Sequence, residues 1–101
     1  MYFSIFDYYN IHYMLDFTTI KDVKNTIGEW CKKMRKAENL TQQELADELA
    51  LSRLTIAKLE NGDNPTLETL LKVLQYFDEM KSINQFVSDK IEILENNQSM
   101  Y

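Results

Sequence analysis

From Ile27 onward the apolar positions of this chain recur with a helical period. Ile27, Trp30, Cys31 and Met34 stand at i, i+3, i+4 and i+7 and form one stripe, which predicts a first helix with these side chains inward. The stripe ends near Ala37, where Glu38-Asn39 suits a helix exit with the asparagine in the left-handed region. Thr41-Gln42-Gln43-Glu44 then reads as a capping box, in which hydroxyl and carboxylate each satisfy one orphan N–H. Leu45, Ala46 and Leu49 make the inner face of that second helix. Ser52 reads as the next N-cap, Ile56 and Leu59 as the inner face of a third helix, and Gly62 as its stop. Asn64-Pro65 marks a turn, after which Thr66 caps a fourth helix with Glu68 in its first turn. Leu67, Leu70, Leu71, Leu74 and Phe77 are its expected stripe. A fifth helix is expected from about residue 79 to residue 95, with Met80, Ile83, Phe86, Val87, Ile91 and Leu94 apolar. The polar end, Asn96-Asn97-Gln98-Ser99, is expected to fray.

The first 20 residues do not follow this pattern. Seven of the chain's twelve aromatics, Tyr2, Phe3, Phe6, Tyr8, Tyr9, Tyr13 and Phe17, fall there. A secretory signal needs a basic start and an uninterrupted apolar run, whereas no basic residue precedes Lys21 and Asp7 interrupts the stretch. Three readings stand: a strand-like arm that docks on the body or on a partner, a disordered arm, or a start that belongs at Met14. The chain is thereby divided into an aromatic arm at 1–24, a helical domain at 25–78, and a C-terminal helix and tail at 79–101.

Composition narrows the class. A length of 101 residues fits one domain, and two glycines with one proline leave too few turn residues for a sandwich or barrel. A lone cysteine excludes a disulfide framework and a cysteine-based zinc site within the chain, and it is compatible with a reducing cytoplasm. No apolar run approaches the roughly 18 residues of a membrane helix. The net charge of −5 argues against a nucleic-acid partner until it is divided by segment. Residues 21–40 carry six Lys/Arg against three Asp/Glu, and Lys32-Lys33-Met34-Arg35-Lys36 is the one basic block. Residues 41–64 carry two against five. A local positive face on an acidic protein is therefore open.

The informative stretch is Thr41 to Gly62, two short helices joined by about three residues, which is the size of a helix-turn-helix. In such a unit the second helix enters the DNA major groove, so inward residues must be small or apolar and outward ones polar. Ala46 is small where the helices would cross, and Arg53, Thr55 and Lys58 remain outward. The run Leu40-Thr-Gln-Gln-Glu-Leu-Ala-Asp-Glu-Leu-Ala-Leu-Ser-Arg-Leu-Thr-Ile-Ala-Lys-Leu-Glu-Asn-Gly62 resembles the phage-repressor/Cro-like (XRE-type) helix-turn-helix family. Pro65-Thr-Leu-Glu-Thr-Leu70 is similar to that family's entry into its fourth helix.

The resemblance covers about residues 25–78. It implies an all-α, compact five-helix bundle of the lambda-repressor-like type with a central helix-turn-helix. The implied function is a sequence-specific transcriptional regulator that binds double-stranded DNA as a homodimer on a two-fold operator. Carried over by position, it implies base contacts from Arg53, Leu54, Thr55 and Lys58. Arg53 could meet guanine O6 and N7, and Leu54 or the Thr55 methyl could meet a thymine methyl. Phosphate contacts are implied for Gln42, Gln43, Ser52 and Asn61. Arg35 and Glu60 match a pair that forms an internal salt bridge. The family usually has glycine where Ala50 stands, so Ala50 is expected to be left-handed at a cost of about 1–2 kcal/mol.

Other residues read as structural. Trp30 and Cys31 share the stripe and are expected in the core. His12 with one cysteine makes neither a metal site nor a nucleophile–base pair. Glu44, Asp47 and Glu48 read as a solvated helix face. Lys32, Lys33 and Lys36 are balanced between DNA contact and simple solvation. No catalytic constellation, cofactor motif or metal cluster is present, so an enzyme is not expected. The alternative is an antitoxin of a toxin–antitoxin pair, which restrains a toxin-like partner protein and autoregulates its operon. Phe86, Ile91 and Leu94, beyond the family match, are the expected dimer or partner interface. No membrane association is expected, and the expected location is the cytoplasm.

Overall fold

The computed structural model describes residues 17–99. Tyr2, Phe3, Phe6, Tyr8, Tyr9, Tyr13, His12 and Met14, on which the readings of the N-terminal arm rest, lie outside the described residues. The described chain forms helices α1 (Ile20–Ala37), α2 (Gln42–Glu48), α3 (Arg53–Glu60), α4 (Leu67–Tyr76) and α5 (Met80–Ser99). Among the described residues there is no strand. No helix among them is long and apolar enough to cross a membrane.

α1 begins seven residues before the point at which the apolar period becomes visible, so residues 20–24 belong to the helix and not to an arm. Its start is set by polar chemistry. Thr19 Oγ1 accepts from Asp22 N at 3.0 Å, and Asp22 Oδ2 accepts from Thr19 N at 3.0 Å. This is a capping box with aspartate in the place where glutamate is usual. Ile20 and Val23 are exposed, so the first turns contribute no stripe. At the other end α1 stops as expected of Glu38-Asn39, with Asn39 at φ 57°.

Cys31, Leu45, Ala46, Ile56, Leu59 and Val73 form the buried core, lined by Ile27, Met34, Leu49, Leu51, Leu70 and Phe77. Four helices thus share one interior. α1 approaches α3 at Gly28, where a Cβ would come within 2.5 Å of the Glu60 carbonyl oxygen and 2.6 Å of that of Leu59. Only glycine allows that approach. Two stripe assignments need correction. Trp30 is 36% exposed and borders Ser82, Ile83 and Phe86 of α5 instead of entering the core. Leu67 is 70% exposed, because it is the first residue of α4 and the inward face of that helix falls on Thr69, Val73 and Leu74.

α5 runs to Ser99, past the expected end near residue 95. It packs against α4 beside Trp30. None of its side chains from Met80 to Asn97 is buried, and Phe86, Val87, Ile91, Ile93 and Leu94 are each about half exposed or more.

Candidate nucleic-acid interface

Local hydrogen bonding sets the two helices of the motif. Thr41 Oγ1 accepts from Glu44 N at 3.1 Å, and Glu44 Oε1 accepts from Thr41 N at 2.9 Å. The hydrogen bonds from Thr41 hold the Glu44 carboxyl below its ordinary pKa. Ser52 Oγ caps α3 by accepting from Thr55 N at 3.1 Å. Between the helices, Leu51 N donates to Ala46 O at 2.8 Å and Ala50 adopts φ 54°. The turn therefore closes through the left-handed region at a residue that bears a Cβ, which costs about 1–2 kcal/mol.

Beneath the motif lies an ion pair. Arg35 Nε donates to Glu60 Oε2 at 2.6 Å and Nη2 donates to Oε1 at 2.9 Å, a bidentate arrangement. Both residues are 7% exposed. Arg35 Nη1 donates to the Leu40 carbonyl at 2.7 Å, so the guanidinium also fixes the entry to α2. Hydrogen bonding with Glu60 raises the already high pKa of Arg35 further. Neighbouring Cys31 has its pKa pushed up to about 11, first by burial and then by the Glu60 charge. A thiol so protonated is a poor nucleophile.

A hydrogen-bonded chain links this pair to the surface. Gln42 Nε2 donates to Glu60 Oε1 at 3.1 Å, and Gln42 Oε1 accepts from Arg53 Nη1 at 3.2 Å. Arg35, Glu60, Gln42 and Arg53 are thus connected from the interior to the exposed start of α3. Position along the sequence could not reveal this, because Gln42 and Arg53 stand on different helices.

Of the side chains expected at DNA, Arg53, Leu54 and Lys58 are exposed on α3. Thr55 is half-buried and its hydroxyl lies 2.8 Å from Ser52 Oγ, so both hydroxyls serve the cap. Asn61 is exposed at the C-cap of α3. Gln43 is exposed, with Nε2 donating to Asp47 Oδ1 at 2.8 Å, while Gln42 is half-buried in the chain just described. Phe86, Ile91 and Leu94 stand apart from this group, on α5.

Residues 32–79 match the profile of the family described as helix-turn-helix. Over 51 residues, half of the chain, the sequence is 43% identical to a "Putative HTH-type transcriptional regulatory protein" of Methanocella arvoryzae. The matched stretch is 16% of that relative's length. No solved structure matches the chain. The turn at Ala50, the two capped helices around it and the family profile coincide on the same residues, so residues 32–79 are similar in both sequence and local structure to the helix-turn-helix family.

Proposed function

We propose that this chain is a sequence-specific DNA-binding transcriptional regulator that reads a two-fold operator as a homodimer, with α3 in the major groove. The observation that carries the reading is the exposed start of α3 within a family-matched motif, where Arg53 is held by Gln42 and stands beside Leu54 and Lys58. Arg53 meets guanine O6 and N7, Leu54 or the Thr55 methyl meets a thymine methyl, and Lys58 reaches a base edge further along. Gln42, Gln43, Ser52 and Asn61 contact phosphates and set the register. Arg35 and Glu60 hold the scaffold and do not touch DNA.

The dimer is argued from α5. A 20-residue helix without one buried side chain from Met80 to Asn97 has an apolar face in need of a cover. A second copy covers Phe86, Ile91 and Leu94 and sets two recognition helices about 34 Å apart, one DNA turn. The same exposed face supports a second reading, the antitoxin, in which a toxin-like protein covers α5 and DNA binding serves autoregulation.

Selection of bound duplexes from a random pool tests the first claim, with an enriched two-fold sequence expected. Sedimentation tests the second, with a dimer expected for the whole chain and a monomer for Phe86→Ser/Leu94→Ser. Absence of any enriched sequence overturns the regulator reading. A monomeric whole chain that binds a single half-site overturns the dimer.

A further inference from the structure

The cations of α1 separate by what they touch. Lys33 Nζ lies 3.5 Å from Glu29 Oε1, and Lys24 Nζ donates to Asn64 Oδ1 at 2.6 Å. Arg35 is occupied by Glu60 and the Leu40 carbonyl. Lys21, in the first turn, and Lys32 and Lys36, toward the other end, are exposed and have no ion pair or hydrogen bond from the ammonium among the described residues, so position decides among them.

Their placement follows from the helix period. Gly28 rests on the carbonyls of Leu59 and Glu60 at the last turn of α3. Lys32 comes one turn after Gly28 on that flank, and Lys36 one turn after Lys32. Arg35, next to Lys36, ties this end of α1 to Leu40 at the entry to α2. The other flank of α1, with Ile27, Trp30 and Met34, turns to the core and to α5. Lys32 and Lys36 therefore lie on the flank of α1 toward the end of α3 and the start of α2, where Asn61 and Gln42 stand, and Gln42 in turn holds Arg53.

Charge supplies a second argument. Residues 41–64, which contain the whole motif, carry two cations, Arg53 and Lys58, against five acids. The segment sums to −3, or −2 once Glu60 is set against its partner Arg35, and so lacks the positive charge that drives counterion release from DNA. The missing charge stands next to it, unpaired, on α1.

We infer that Lys32 and Lys36, and not Lys33, are DNA phosphate contacts outside the helix-turn-helix. They neutralise the backbone beside the groove that α3 enters and supply the electrostatic part of binding that the acidic motif lacks. The inference rests on the proposed DNA-binding function.

The test is a salt titration of a duplex enriched by selection with the wild-type chain, run beside a scrambled duplex. Each phosphate contact contributes about 0.9 to the slope of log affinity against log salt, so Lys32→Gln/Lys36→Gln should lower the steepness by about 1.8 per protomer. Its binding deficit should shrink about 12-fold per protomer between roughly 50 and 200 mM salt. The loss should be equal on both duplexes. Lys32→Arg/Lys36→Arg should keep the wild-type slope, and so should Lys33→Gln. A double variant with the wild-type slope overturns the inference, as does a Lys33→Gln variant with as large an effect per charge. A wild-type chain that binds no duplex overturns the inference together with the function beneath it. Binding by the wild type with an unaltered slope in the double variant overturns the inference alone.

Discussion

Replacing Arg35 by alanine removes four things at once: the two bonds to Glu60, the bond to the Leu40 carbonyl, and the charge that balances Glu60. The side chains of the pair are 8% and 1% exposed, so solvent screens little of the loss. Breaking one partner of a buried pair costs about 3–5 kcal/mol, mainly because the other charge is left uncompensated. Gln42 Nε2 still donates to Glu60, which puts the expectation toward the lower end. A domain of this size holds about 5–15 kcal/mol in all, so the variant forfeits a large share of it. At about 4–8 °C per kcal/mol, a loss of about 3 kcal/mol lowers Tm by about 12 °C or more. Thermal melting by circular dichroism measures this. Arg35→Met/Glu60→Leu is the informative companion, since it removes both charges and fills the space, and it should recover most of the loss. An Arg35→Ala chain that melts like wild type yet no longer binds DNA would refute the reasoning and move Arg35 to the interface.

Ala50→Gly should stabilise the fold by up to about 1 kcal/mol in urea unfolding, since relief of the Cβ strain at φ 54° exceeds the entropic cost of glycine. A less stable variant would mean that the turn is not left-handed. Gly28→Ala should destabilise, because a Cβ meets two backbone carbonyls and forces a shift that costs about 1–3 kcal/mol against about 1 kcal/mol of helix propensity gained. A more stable alanine variant would place α1 farther from α3. Cys31 should resist thiol reagents near neutral pH until the chain unfolds, which a colorimetric thiol assay follows. The folded state raises its pKa from 9.0 to about 11, so its contribution to stability is full below pH 9 and is lost as pH rises toward 11. Rapid labelling in native buffer would contradict its burial.

Where local chemistry decides, the sequence was a sufficient guide. Thr41-Glu44, Ser52, Thr66 and Gly62 mark ends of helices, and each acts through neighbours within a few residues. The start of α1 is not visible in the sequence, because Asp22 closes the capping box in place of glutamate and neither Ile20 nor Val23 joins the buried core. Trp30 and Leu67 read as core on spacing alone, yet burial depends on which helix stands opposite. α5 covers Trp30 only in part, and Leu67, in a groove beside Met80, Ile83 and Val87, stays 70% exposed. Gly28 and the bonds from Gln42 to Glu60 and Arg53 are products of tertiary approach. No periodicity encodes them. The resemblance implies the Arg35–Glu60 pair and names Gln42 and Arg53 apart from it, and only the packing of α2 and α3 joins all four.

The central claim is that α3 reads DNA sequence through Arg53. Its most direct test is a titration of the selected duplex, and of the same duplex with each guanine replaced in turn, against wild type and Arg53→Ala. The variant should melt like wild type, since Arg53 is exposed and among the described residues its side chain bonds only to Gln42. It should lose about 1–3 kcal/mol of affinity and cease to discriminate at one base position while keeping discrimination elsewhere. An Arg53→Ala chain with wild-type affinity and specificity at every position would contradict the account.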